Sequence, residues 1–117
     1  MAPEFGGPEP RLTADFWVRA YLRRLEGAMI PAYVTRRGDP TAGAVLVKVA
    51  TLDGLARAFQ RSFDLMADRR IWVTLAEGDE RTVDATLARQ RQNDPDLWII
   101  EIEDRQGRTL LDEEGLS

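Results

Sequence analysis

Apolar side chains recur along this chain at two spacings, one typical of helices and the other typical of strands. Between Phe16 and Leu25 they lie three and four residues apart and form a single stripe along a helix. Thr13 precedes that stripe and is a favourable N-cap, so a helix is predicted from this cap to about Glu26. The same spacing predicts a second helix over residues 80–93.

Alternation of apolar and polar residues predicts the strands, and it is clearest in the segment 42–50. Three valines share one face of this segment, while Leu46 and Lys48 lie on the other face. Short turn-forming segments separate several of the strands, which favours antiparallel hairpins. Strands are predicted over residues 31–37, 42–50, 55–63, 69–75 and 97–103, and a short returning strand is predicted over residues 109–111.

The predicted element order is α-β-β-β-β-α-β, with a final β where the short returning strand forms. Consecutive hairpins favour an α+β fold with a mostly antiparallel sheet of four to six strands, and we expect both helices on one face. The length of 117 residues suits one domain over residues 11–114. Residues 1–10 are rich in proline and glycine and contain no basic residue, so we expect a disordered tail and not a signal peptide.

The chain contains no histidine and no cysteine, and this absence limits the chemistry that it can perform. Histidine is the side chain that titrates near neutral pH, and cysteine is readily activated as a nucleophile. Ser-His-Asp and Cys-His centres, thiolate zinc sites and disulfides are therefore excluded. Catalysis would have to rest on carboxylates, arginines, hydroxyls, the single lysine or a metal with oxygen ligands.

The net charge of −4 is distributed unevenly along the chain. Residues 11–93 carry fourteen basic and ten acidic side chains, whereas eight acidic side chains accompany two arginines from residue 94 onward. Such acidic side chains can hold a hard metal or perform acid–base chemistry. We favour a solvated surface with ion pairs to Arg36, Arg37 or Lys48, because structural ion pairs are common. The acidic side chains concerned are Asp94, Asp96, Glu101, Glu103 and Asp104.

Three segments resemble a known bacterial family: TADFWVRAYLRRLEG at 13–27, PAYVTRRGDPTAGAVLVKV at 31–49 and DPDLWIIEIEDRQGR at 94–108. The family is DUF1491, a domain-of-unknown-function family, and the resemblance extends over roughly residues 11–112 in the same order and spacing. The resemblance implies a small, stand-alone cytoplasmic protein of the kind found in alphaproteobacteria. It supplies no activity and no functional residue.

A second similarity suggests an alternative active site. Asp39 leads into the strand of Lys48, which is similar to the restriction-endonuclease-like core, where an Asp and a (D/E)-x-K pair hold magnesium. Leu46 lies two residues before Lys48 and cannot bind a metal, so the motif is incomplete. The alternative hypothesis is a divalent-metal-dependent phosphoryl-transfer enzyme or a degenerate nuclease of this type. It would use Asp39, Lys48, Glu101 and Glu103.

The candidate binding residues are Arg36, Arg37 and Trp72. The two arginines precede a turn, while apolar neighbours of Trp72 fill one face of its strand and place the indole on the other. A sheet that is buried on both faces would explain this pattern, and so would a dimer formed through the second face. Tryptophan and arginine are enriched in protein interfaces, so a partly exposed Trp72 would also suit contact with another protein chain.

The sequence therefore favours a non-enzymatic, cytoplasmic protein-interaction module, which acts as a homodimer or through another protein partner. We expect no catalytic residue, cofactor, bound metal or membrane contact, and no small-molecule substrate is identifiable. Nucleic-acid binding is disfavoured, because the basic excess of residues 11–93 is small and the acidic segment repels phosphates.

Overall fold

The computed structural model describes residues 12–113 together with residues 115 and 116. The element order is α-β-β-β-β-α-β, which confirms the predicted α+β class. The predicted tail at residues 1–10 lies outside the described residues. The elements are α1 (Ala14–Gly27), β1 (Ala32–Arg36), β2 (Val45–Ala50), β3 (Leu55–Asp64), β4 (Arg69–Asp79), α2 (Glu80–Asn93) and β5 (Trp98–Glu103).

The described strands form one sheet in the order β1-β5-β2-β3-β4. Three of the four neighbouring pairs are antiparallel, which confirms the mostly antiparallel sheet. The pair β2–β5 is parallel, because the chain passes through β3, β4 and α2 before it returns beside β2 as β5. All six residues of β2 are buried, so this strand lies at the centre of the fold.

The two helices cover opposite faces of the sheet, so the expectation that both lie on one face is wrong. Trp17 and Tyr21 of α1 pack over Val47, whereas Val83 of α2 packs over Leu46. The reason is that β2 and the first residues of β5 are mostly apolar and are buried on both sides, so each side needs a covering layer.

Residues 109–111 form a loop, so the predicted returning strand is also wrong. The Tyr21 hydroxyl donates a hydrogen bond to the carbonyl oxygen of Thr109 at 2.7 Å. Leu110 adopts a φ of 60°, which interrupts any extended conformation. The loop instead directs Leu111 and Leu116 into the core beneath α1.

The β3–β4 hairpin is longer than predicted, since β4 continues through Gly78 to Asp79 and leads directly into α2. Asp79 caps α2 by accepting a hydrogen bond from the Thr82 backbone nitrogen at 3.2 Å. A register shift between Ala58 and Phe59 marks a bulge near the middle of the hairpin. No helix in the described part of the chain is long and apolar enough to cross a bilayer.

Candidate functional site

Lys48 is buried near the centre of the sheet and is the only lysine of the chain. Alternation along β2 directs the valines toward α1 and directs Leu46 and Lys48 toward α2. The neighbouring strands place Glu101 of β5 and Ala58 of β3 beside Lys48. Only 2% of the lysine side chain is exposed, so its ammonium group needs partners within the protein.

Three carboxylates surround the Lys48 ammonium. Its Nζ lies 2.8 Å from Glu80 Oε2, 2.6 Å from Asp84 Oδ1 and 3.5 Å from Glu101 Oε1. Glu80 and Asp84 are four residues apart and therefore share one face of α2. The carboxylate side chains are between 35% and 51% exposed, so they lie between the buried ammonium and solvent. We call these four residues the Lys48 cluster.

The carboxylates hold Lys48 in its charged form. Burial is the largest single influence and by itself would lower the pKa of Lys48. Hydrogen bonds to Asp84 and Glu80, with the charges of Glu101 and Asp84, outweigh burial and raise the pKa above its usual value. With three carboxylates and one ammonium, the cluster keeps a formal excess of two negative charges.

The geometry of the Lys48 cluster favours a structural role over a catalytic one. The three N–H donors of the ammonium face three acceptors, which leaves no donor for a substrate. A lysine with a raised pKa is also a poor nucleophile and a poor base at neutral pH. The ammonium lies among the oxygens that a metal ion would need. Among the described residues, no set of three or more acidic side chains is arranged to hold a metal ion.

We expect that magnesium or manganese leaves the melting temperature of the wild-type protein unchanged. A divalent ion at a hundred times its Kd would stabilise the native state by about 2.7 kcal/mol, or roughly 10 °C in a domain of this size. The Lys48 ammonium already contacts one oxygen of each carboxylate, and its charge opposes the approach of a metal ion to the same oxygens, which reduces the formal charge that the ion meets from three negative charges to two. Thermal unfolding with and without each metal measures the effect. A rise that is lost in Glu101→Gln/Glu103→Gln would contradict this expectation.

The four residues of the alternative active site do not share one set of contacts. Lys48 and Glu101 come together, as the predicted ion pair required. The Asp39 carboxylate instead accepts hydrogen bonds from the backbone nitrogens of Thr41 and Ala42 and so stabilises its own turn. Glu103 accepts a hydrogen bond from the Tyr33 hydroxyl at 3.5 Å.

The other acidic residues singled out near the C-terminus also serve local structure. Asp94 accepts a hydrogen bond from the backbone nitrogen of Asp96 at 3.1 Å. Asp104 is buried and pairs with the Arg108 guanidinium at 2.8 Å. Hydrogen bonds from Arg108, which outweigh the opposing effect of burial, hold the pKa of Asp104 below its usual value. These acidic side chains therefore take part in separate local contacts and do not form one site.

Sequence reasoning did not identify Glu80 and Asp84 as members of the cluster. Two signals were available: a lysine inside an apolar strand needs carboxylates, and Glu80 and Asp84 lie one helical turn apart. What the sequence did not provide was the placement of α2 over β2, because the helix and the strand are separated by the β3–β4 hairpin.

The candidate binding residues lie at opposite edges of the sheet, with Arg36 on β1 and Trp72 on β4. Arg36 is exposed and donates a hydrogen bond to the carbonyl oxygen of Thr35. The guanidinium of Arg37 lies 5.0 Å from the ring centroid of Trp98. Arg36 and Arg37 therefore do not form one surface with Trp72.

The Trp72 indole is partly buried within its own chain. Its ring centroid lies 5.5 Å from that of Trp17, and its Nε1 donates to the carbonyl oxygen of Leu116 at 2.8 Å. The Arg61 guanidinium lies over both indoles, 4.5 Å from Trp17 and 4.9 Å from Trp72. A sheet covered on both faces accounts for the position of Trp72, and the predicted binding roles of Arg36, Arg37 and Trp72 stay predictions.

Exposed apolar side chains cluster at the tip of the β3–β4 hairpin. Leu65 is 83% exposed and Met66 is 97% exposed, while Phe63 just before them is about half exposed. Arg69 and Arg70 follow this apolar segment and begin β4. We call residues 63–70 the hairpin tip.

Comparisons with known proteins agree with the resemblance seen in the sequence. The model of the family described as "Protein of unknown function (DUF1491)" matches residues 12–112. The crystal structure of a DUF1491 family protein from Caulobacter crescentus CB15 is 42% identical, covers 87% of this chain and 94% of its own, and superposes with a TM-score of 0.76. The solution structure of protein Atu0922 from A. tumefaciens is 30% identical, with coverages of 80% and 86% and a TM-score of 0.67. No match was found among curated proteins.

Proposed function

This chain belongs to the DUF1491 family, and we propose that it acts as a non-enzymatic, cytoplasmic module that associates with another protein chain. The family description supplies no activity, so the proposal rests on how this chain uses its side chains. The lack of cysteine is consistent with the cytoplasm, where disulfides are rare.

The observation that carries the proposal is the exposure of the hairpin tip. Leu65 and Met66 lie next to one another at the end of a long hairpin and are almost entirely in water. Adjacent exposed apolar side chains with a charged rim are typical of protein-interaction sites. Methionine and arginine are both enriched in such sites, and Arg69 and Arg70 lie directly beside the apolar pair.

The Lys48 cluster supports a non-enzymatic function, because its charged groups have a structural role. It is the place where the structure gathers a lysine and several carboxylates, and these groups are bound to one another. A cluster whose donors are saturated supports a structural role in holding α2 on the sheet. The exposed surface at the hairpin tip is then the better candidate for function.

Site-specific photo-crosslinking in cells of the native host tests the proposal. A photoreactive phenylalanine derivative replaces Met66 in one variant and Gln92, an exposed residue of α2, in a control variant. We expect the Met66 variant to form one discrete crosslinked species, which mass spectrometry identifies, because an interface holds the probe beside one partner. The Gln92 variant should form none.

Failure of the Met66 variant to form any discrete crosslink would contradict an association through the hairpin tip. Crosslinks of equal yield and identity from both positions would also contradict it, because they indicate random collision. Both variants must show the wild-type melting temperature, which excludes unfolding as the cause of a crosslink.

A further inference from the structure

The strand β4 forms one edge of the sheet and carries eleven residues. Among the described residues it pairs only with β3, so its outer side offers backbone N–H and C=O groups to another strand. The opposite edge, β1, has only five residues. A long edge strand is the better template for strand addition.

We propose that the partner at this edge is a second copy of the chain, joined by antiparallel pairing of two β4 strands about a two-fold axis. This proposal rests on the proposed function, since it names the partner that the hairpin contacts. Such a contact forms a closed dimer, because each copy uses the same strand to bind the other and no edge of this kind remains free. Two five-stranded sheets would then become one continuous sheet.

The charges along β4 favour antiparallel over parallel self-pairing. Arg69 and Arg70 lie at its beginning, and Glu77 and Asp79 lie near its end. Antiparallel pairing places the basic end of one copy beside the acidic end of the other, whereas parallel pairing places like charges together. Opposite charges across strands are stabilising and like charges are destabilising. None of Arg69, Arg70 and Glu77 forms an ion pair within the described part of its own chain, while in the β3–β4 register Arg69 lies opposite Asp64 and Glu77 lies opposite Arg57.

The exposed apolar residues at the two ends of the hairpin fit the same arrangement. Leu65 and Met66 lie at the end where β4 begins. Leu52 and Leu55 lie at the other end, where Leu55 is paired with Asp79, and both are about half exposed. Antiparallel pairing of two β4 strands places Leu65 and Met66 of one copy at the same end of the contact as Leu52 and Leu55 of the other copy.

The bulge of β4 is compatible with a two-fold axis. The register passes from Ala58–Ala76 to Phe59–Thr74, so Leu75 is the extra residue and lies next to the midpoint of the strand. An axis near Thr74 would place the two bulges symmetrically at the centre of the contact, and the new ladder would be formed by the residues on either side of them.

Sedimentation equilibrium of the purified full-length chain tests the pairing. We expect wild type to form a dimer whose Kd rises with salt, because charges contribute to the contact. Reversal of the basic end in Arg69→Glu/Arg70→Glu should weaken the dimer at least ~10-fold. Addition of Glu77→Arg to this variant should restore part of the affinity, since it cancels the net negative charge at the other end of the strand, next to Asp79, and so its repulsion of the introduced glutamates.

The matched control is Arg23→Glu/Arg81→Glu, which makes the same change in net charge on the exposed faces of the helices and should dimerise like wild type. A wild type that stays monomeric at its highest soluble concentration overturns the proposal. So does a dimer that Arg69→Glu/Arg70→Glu leaves unchanged. Should the Met66 photoprobe capture a different protein while the purified chain is monomeric, self-pairing fails and the proposed function stands. Should the purified chain be monomeric and the photoprobe capture nothing, both fail.

Discussion

Lys48→Met is expected to lower the free energy of unfolding by about 2–3 kcal/mol. Removal of one partner from a buried ion pair costs about 3–5 kcal/mol where the remaining charge stays buried. Here the remaining carboxylates of Glu80, Asp84 and Glu101 are about a third to a half exposed, so water relieves part of their repulsion. Methionine fills a similar volume, so packing changes little. Urea unfolding at neutral pH measures the difference.

A matched background separates the loss of charge from any loss of packing. In the triple variant Glu80→Gln/Asp84→Asn/Glu101→Gln no carboxylate remains around residue 48. Lys48→Met should be neutral or stabilising in that background, because a buried ammonium without counter-charges is unfavourable. An equal loss in both backgrounds would show that the lysine acts by packing and not through the Lys48 cluster.

The same substitution changes the dependence of stability on pH. Because the pKa of Lys48 is raised in the folded state, its contribution is complete below the unfolded value of about 10.4 and is lost as pH rises toward the folded value. Burial also raises the pKa of Tyr21, which adds a loss at alkaline pH in both proteins. The stability difference between wild type and Lys48→Met should therefore narrow above pH ~10.4, by at most about 1.4 kcal/mol per pH unit.

Local patterns were sufficient to predict most of the elements. Thr13 caps α1 as its position before an apolar stripe indicated, and its Oγ1 accepts a hydrogen bond from the Phe16 nitrogen at 3.2 Å. The alternation around Lys48 identified β2 and assigned its two faces. These features depend on neighbours a few residues away, which is why the sequence contains them.

Contacts between distant segments were harder to predict. The contact of Lys48 with Glu101 is one of the ion pairs that the sequence predicted, because the two residues lie on neighbouring strands. The contribution of Glu80 and Asp84 depends on which face of the sheet α2 covers. The predicted series of hairpins favoured the same face as α1, whereas α2 covers the opposite face. The Asp39 carboxylate lies outside the Lys48 cluster for a local reason, since it is used within its own turn.

Gly38→Ala is expected to lower the free energy of unfolding by about 3 kcal/mol, because there is no space for a methyl group at this position. A Cβ there would clash with the carbonyl oxygen of Asp96 and would lie 2.7 Å from both the Asp96 carbonyl carbon and Trp98 Cδ1. Two of these three atoms belong to the backbone and cannot rotate away.

The loss of stability should extend beyond Gly38, because hydrogen bonds hold the loop after β1 against the segment before β5 at the same place. The backbone nitrogen of Asp39 donates to the Asp96 carbonyl oxygen at 2.9 Å, and Trp98 Nε1 donates to the Asp39 carbonyl oxygen at 2.8 Å. An added methyl group pushes the segments apart and weakens both bonds, each of which contributes about 1 kcal/mol. A fall in melting temperature of roughly 10–15 °C and a red shift of tryptophan fluorescence are the expected readouts.

Gly27→Ala is the matched control, since an added Cβ at Gly27 has no heavy atom within 4 Å and alanine is the better helix former. Its melting temperature should equal or slightly exceed that of wild type. If Gly38→Ala is as stable as Gly27→Ala, the close contact between the loop after β1 and the segment before β5 does not exist in solution. The turn that holds Asp39 would then be free to move.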